Sequence, residues 1–139
     1  MYFHLYLVDD HKKNFYENAR KEYEKRLRRY CKLKVTKVRN IGAIEKELKA
    51  EEMLIIISAG NHLLSSEALA EKIQKFEIQG ELKMSFFIGP LLESSFFEGM
   101  DVKEWSISPM EFSAGLLSTV LLEQIYRAYR IIKNEPYHK

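Results

Sequence analysis

Hydrophobic positions along this chain follow two periods, and each switch from one to the other marks an element. Residues 3–8 form an apolar, aromatic run closed by Asp9 and Asp10, which predicts a first strand. Over residues 13–31, Tyr16, Ala19, Tyr23, Leu27 and Tyr30 recur at steps of three and four, the buried stripe of a helix. In residues 33–38, Leu33, Val35 and Val38 set against Lys34, Thr36 and Lys37 give a strand with one solvated face. Gly42 breaks it, and residues 44–52 read as a short acidic helix. Residues 53–57 are continuously apolar, as in a strand buried on both faces of a parallel sheet. Ser65 and Ser66 supply cap chemistry for a helix over residues 67–79, which Gly80 ends. Residues 84–88 repeat the buried-strand pattern, followed by Gly89, Pro90 and a short helical segment over residues 91–97.

The last third carries the longest pattern. Trp105 and Ile107 alternate with Ser106 and Ser108, which predicts a strand, and a polar turn follows. One uninterrupted helix then has apolar rows at Leu117, Leu121, Ile125, Ala128 and Ile132 and at Leu116, Val120, Tyr126 and Tyr129. That stripe is too wide for a helix covering one surface. It predicts burial on two sides, against the chain's own sheet and against a second copy of the chain. Pro136 stops the helix after Asn134 and leaves a tail of Tyr137, His138 and Lys139.

Strands and helices alternate throughout, so the fold class is α/β: a mainly parallel sheet flanked by helices, in a single domain over residues 1–139. No apolar run reaches membrane-spanning length, and the N-terminus lacks the basic-then-apolar order of a signal peptide. The single cysteine, Cys31, has no partner for an intramolecular disulfide, which fits a cytoplasmic protein and a packing role for the thiol. The four histidines are scattered and no Cys/His group has zinc spacing, so no metal site is expected. The net charge of +2 hides an asymmetry. Residues 1–40 hold 12 Lys/Arg and 5 Asp/Glu, a balance of +7, whereas residues 41–112 hold 6 and 13, a balance of −7. The basic part, including Arg28 and Arg29 on the outer side of the first helix, is where a polyanion would bind; a solvated face complementing the helix dipole is the alternative.

The run LLEQIYRAYRIIKNEPYHK, residues 121–139, resembles the C-terminal signature of the ribosomal large-subunit methyltransferase H family. Shorter echoes are EYEKRL at 22–27, LSSEALA at 64–70 and FFIG at 86–89. The resemblance implies a SPOUT-type fold with a C-terminal trefoil knot and a homodimer. It also implies methylation, from S-adenosyl-L-methionine, of N3 of a pseudouridine in large-subunit (23S) ribosomal RNA or the ribosome.

Carried over by position, the resemblance places Ile57, Gly89, Ile107, Ser108, Pro109, Met110, Glu111 and Phe112 at the cofactor. The three loops at 58–62, 89–93 and 108–114 also follow strands, where ligands of open parallel sheets bind. In the family the tail of one subunit completes the site of the other. His138 is then a base or orients the base ring, Tyr137 stacks or donates a hydrogen bond, and Lys139, with Arg28 and Arg29, holds RNA phosphates. Some positions depart from the family pattern. Pro90 stands in place of a second glycine, Asn61-His62 in place of glycine-lysine, and Ser113-Ala114 and Ser118 in place of a proline-histidine and a later arginine. The connection after the second strand is also shorter. A second reading is therefore a knotted dimer without turnover that serves as an RNA-binding or assembly protein.

Overall fold

The computed structural model describes residues 1–9 and 15–138. The expected first two residues of the first helix, at 13 and 14, and Lys139 lie outside them. Five strands form one sheet: β1 (Tyr2–Val8), β2 (Lys32–Val38), β3 (Met53–Ile57), β4 (Lys83–Ile88) and β5 (Asp101–Trp105). Their order is β2-β1-β4-β3-β5 and every pairing is parallel. The helices are α1 (Phe15–Leu27), α2 (Glu45–Lys49), α3 (Ser66–Ile78) and α4 (Ala114–Ile132).

The period-2 alternation of β1 explains the layering. Phe3, Leu5 and Leu7 face a core shared with α1, α3 and α4, while Tyr6 joins Leu48, Leu54 and Phe87 under α2 on the other face. α2 is only five residues long, preceded by a 3-10 turn at Ile41–Ala43. On this second face His4 and Tyr6 stack at 3.9 Å. The Glu51 carboxylate there accepts hydrogen bonds from Tyr6, Lys83 and Ser85 at 2.7–2.9 Å.

Two expectations are corrected. The last strand is Asp101–Trp105, so Trp105 ends the strand instead of opening it. Beyond it Ser106 makes a single bridge to Leu63. The signal was weak because β5 is an edge strand on which Lys103 and Glu104 are exposed and only Val102 and Trp105 turn inward. The helical segment over 91–97 is a 3-10 turn at Ser94–Phe97 only. On α4 the flanks pack on α1 and α3 and the floor on the sheet, which buries Leu121, Leu122, Ile125 and Ala128, while Leu116 of the same stripe stays 37% exposed and Val120 half-buried.

Helix ends follow local chemistry. Ser65 accepts from the Ala68 amide at 3.0 Å, and Ser113 from the Leu116 amide at 3.4 Å. Asn134 takes a left-handed conformation (φ 53°) after α4, and the Glu135 amide closes the end by donating to the Arg130 carbonyl at 2.8 Å.

Candidate active site

The loops after β3, β4 and β5 meet over a cavity of about 1070 Å³ at the C-terminal end of the sheet. Its floor is the strand ends themselves, Ile56, Ile57, Phe87 and Ile88, and one wall is Phe97 with Val102. Ligand cavities commonly measure roughly 300–1,000 Å³, so this one has room for a nucleoside-sized molecule and part of a second. Glu104, Glu111 and His62 are the titratable residues of its described lining, which contains no lysine or arginine. Such a wall disfavours a phosphate-bearing ligand and suits one with positive charge. Leu91 and Met110 line the cavity yet are 94% and 70% exposed, a cost normally relieved by a ligand or a second protein surface.

Of the expected cofactor residues, Ile57, Gly89, Ser108, Met110, Glu111 and Phe112 line this cavity. Ile107 lines a neighbouring cavity of about 210 Å³, shared with Ser66, Trp105 and Gln124. Pro109 is exposed and lines neither. Gly89 has a packing reason of its own: a Cβ there would lie 2.8 Å from Phe87 Cζ and 3.0 Å from Val8 Cβ. A side chain would therefore collide with the sheet before it met any ligand. Phe97, Val102 and Glu104 are cavity residues that the sequence did not suggest.

The tail folds back along α4. Glu135 is fixed first, by Arg130 at 2.7 Å, the Tyr30 hydroxyl at 2.9 Å and Arg29 at 3.4 Å. Tyr137 then donates to Glu123 Oε1 at 3.0 Å, edge-on to Tyr126 and under the Arg127 guanidinium. Burial, reinforced by that hydrogen bond, pushes the Tyr137 phenol up to about 12, so it acts as a donor and not as a base near neutral pH. His138 sits between Arg127 Nη1 (3.2 Å, to Nδ1) and Glu67 Oε1 (2.6 Å, to Nε2). A guanidinium only donates, so Nδ1 accepts, and Nε2–H donates to the carboxylate. This fixes one tautomer. The hydrogen bond from His138 also holds the Glu67 carboxyl below its usual range. Neither Tyr137 nor His138 lines the large cavity of its own chain.

Arg28 and Arg29 follow α1 and precede β2, at the opposite end of the sheet from the cavity. Arg29 is engaged with Glu135, whereas Arg28 is exposed. Arg20 was not anticipated. It is only 3% exposed and donates to Ser118 Oγ at 3.0 Å, while Ser118 donates to the Gly115 carbonyl at 2.7 Å. Desolvation lowers the pKa of Arg20, and Glu17 and Asp9 oppose that. A Cβ on Gly115 would lie 2.6 Å from Tyr16 Cδ2 and 3.2 Å from Asp9 Oδ2. Arg20, Asp9, Tyr16 and Gly115 thus clamp the first turn of α4, whose Ala114 and Leu117 line the cavity. The position at which the resemblance expects an arginine, 118, here carries a serine that accepts a hydrogen bond from an arginine on α1. Among the described residues no group of three His, Cys, Asp or Glu is arranged to hold a metal. No described helix is long and apolar enough to cross a membrane.

Comparison with known proteins adds the family. Residues 1–138 match the family described as "Predicted SPOUT methyltransferase". A "Ribosomal RNA large subunit methyltransferase H 1" of Thermoanaerobacter sp. (strain X514) is 41% identical over the whole of both chains. The "Ribosomal RNA large subunit methyltransferase H" of Acetivibrio thermocellus is 33% identical, over 92% of this chain and 93% of its own. A "Putative ribosomal RNA large subunit methyltransferase H" of Methanococcus maripaludis is 34% identical over the same shares. A parallel α/β sheet with a cavity at its strand ends, a family match along nearly the whole chain and full-length relatives together show that this chain belongs to the SPOUT methyltransferases, among the ribosomal RNA large-subunit methyltransferase H proteins.

Proposed function

We propose that the chain works in the cytoplasm as a homodimer that methylates N3 of a pseudouridine in large-subunit ribosomal RNA, with S-adenosyl-L-methionine as donor. The observation that carries the choice of ligand is the cavity lining: apolar strand ends, two carboxylates, and no lysine or arginine among the described residues. S-adenosyl-L-methionine, when bound, supplies an electrophilic methyl group on a sulfonium. Ile57, Gly89, Ser108, Met110, Glu111 and Phe112 would hold it, and Glu104 and Glu111 favour its positive charge. The cavity walls would align donor with acceptor, and alignment alone supplies much of the rate of such a transfer.

The chain's own acid–base group is the tail imidazole. Since His138 lies outside the cavity of its own chain, it would serve the cavity of a second chain, and the exposed Leu91 and Met110 at the rim offer a surface for that contact. The N3–H proton would pass to Nδ1 of His138 of the partner subunit, which gives up its contact with Arg127 to accept it, and the N3 electron pair so freed would form the new bond to carbon as the carbon–sulfur bond breaks and its pair stays with sulfur. Arg127 and Glu67 present that ring in one tautomer, and Glu123 holds Arg127 in turn through contacts of 2.7 and 3.1 Å.

Calorimetric titration with S-adenosyl-L-methionine, followed by mass spectrometry of ribosomal RNA treated with enzyme and cofactor, tests the proposal. Binding that Glu104→Lys/Glu111→Lys weakens about tenfold or more is expected, together with one methylated pseudouridine. Absence of binding at millimolar cofactor would favour the RNA-binding or assembly reading, which Pro90 and Ala114 at the cavity wall raise.

A further inference from the structure

The residues from 25 to 39 contain eight lysines and arginines and no acidic residue. The fold lays this run along one edge of the molecule. Lys25 lies in the last turn of α1, Arg28 follows that helix, Lys32 and Lys34 lie on β2, and Arg39 follows the end of that strand. All five are exposed, and none of them makes an ion pair among the described residues. β2 is an outer strand, paired on one side only, with β1. The opposite edge has the other sign: Glu98, Asp101 and Glu104 surround β5 with Lys103 as their only nearby cation in the sequence.

Lysines on an edge strand also discourage edge-to-edge pairing of sheets. That role needs charge on β2 itself. It does not call for Lys25 and Arg28 before the strand or Arg39 beyond it, nor for the exclusion of every carboxylate from the run. The direction of the strip matters more. From Lys32 to Arg39 it rises about 23 Å at about 3.3 Å per residue. It ends at the cavity end of the sheet, where the Asp9 amide donates to the Val38 carbonyl at 2.9 Å. β2 and β4 are separated only by β1, so Arg39 stands roughly 10 Å to the side of Gly89 at two strand spacings of about 4.8 Å.

We infer that the outer edge of β2, from Arg28 through Lys32 and Lys34 to Arg39, is the track on which the RNA backbone lies as its target base reaches the cavity. The occupant is a polyanion of regular charge spacing, and the acidic β5 edge makes the approach one-sided. This rests on the reading that the chain acts on ribosomal RNA.

The test uses the full chain and a transcribed fragment of 23S ribosomal RNA. The logarithm of the binding constant is measured against the logarithm of salt concentration for the wild type and for Lys32→Gln/Lys34→Gln/Arg39→Gln. The slope should fall by about one for each cation removed. Cofactor titration and melting temperature should stay unchanged, and Lys75→Gln/Lys103→Gln, away from the strip, should keep the wild-type slope. Should the triple variant melt early, the single Lys34→Gln and Arg39→Gln variants carry the same test, each expected to lower the slope by about one. A wild-type slope retained in the folded variants overturns the track. A wild type that binds cofactor but shows no salt-dependent RNA affinity overturns the track and the RNA reading together.

Discussion

Gly115→Ala sets two effects of opposite sign against each other. Gly115 is the second residue of α4, and on helix propensity alone alanine would stabilise a helical position by up to about 1 kcal/mol. The structure predicts the reverse. An added Cβ would sit 2.6 Å from Cδ2 and 3.1 Å from Cγ of Tyr16, and 3.2 Å from Asp9 Oδ2. Cγ is the root of the ring, so a rotation of the tip does not clear it, and α1 or α4 must shift. Overpacking of this kind costs about 1–3 kcal/mol, which leaves a net loss of up to about 2 kcal/mol once propensity is credited. For a chain of this size that lowers the melting temperature by up to about 8 °C. The same shift moves Ala114 and Leu117 at the cavity wall, so cofactor affinity should fall with stability. Differential scanning calorimetry and a cofactor titration measure both. A variant that melts at or above the wild-type temperature would refute the clamp of α4 on α1.

Other outcomes are specific enough to fail. Arg20→Met removes the donor to Ser118 and the positive charge near Asp9, and should destabilise by about 3 kcal/mol in urea titration, against about 1 kcal/mol for Ser118→Ala; equal effects would show that the buried charge adds nothing beyond the hydrogen bond. Glu51 is held below the usual carboxylate range: burial opposes this, but hydrogen bonds from Tyr6, Lys83 and Ser85 outweigh it. Its contribution is therefore present at neutral pH and lost as pH falls through its lowered folded value. The gap in melting temperature between wild type and Glu51→Gln should narrow below about pH 4; a constant gap contradicts this. Burial pushes the Cys31 thiol up to about 12, so iodoacetamide should label it at pH 8 only after unfolding; rapid labelling of the native protein would contradict that burial.

The sequence revealed the elements whose burial is uniform. Met53–Ile57 and residues 84–88 are apolar at every or nearly every position because both faces of the sheet are covered there, and α4 announces itself by its period. The edge strand β5 was misplaced because half of it is in water and its pattern, Asp-Val-Lys-Glu, carries almost no apolar signal. Candidate cofactor residues were legible as loops after strands, and six of eight line one cavity. The wall opposite them was not, because Phe97 and Val102 come from a 3-10 turn and from that edge strand. Arg20 escaped notice because a cation in a charged helix reads as solvated. The small polar Ser118 amid the apolar face of α4 was the one sign that a buried partner awaited it. The wide stripe of α4 was legible, but periodicity counts buried faces without saying whose atoms cover them: α1, α3 and the sheet cover most of it and leave Leu116 exposed.

The central claim is that His138 and Tyr137 of one chain complete the cavity of another. The direct measurement mixes two inactive variants: one truncated before Tyr137, with its cavity intact, and one carrying Ala59→Trp, which fills the cavity from the loop after β3 but keeps the tail. Each alone should transfer no methyl label to ribosomal RNA, and the truncated chain should still bind cofactor as the wild type does. After mixing and exchange, half the dimers are mixed and each has one complete site, so activity should return to about a quarter of the wild-type value. A mixture that stays inactive although mixed dimers form, or a truncated chain active on its own, would contradict the account.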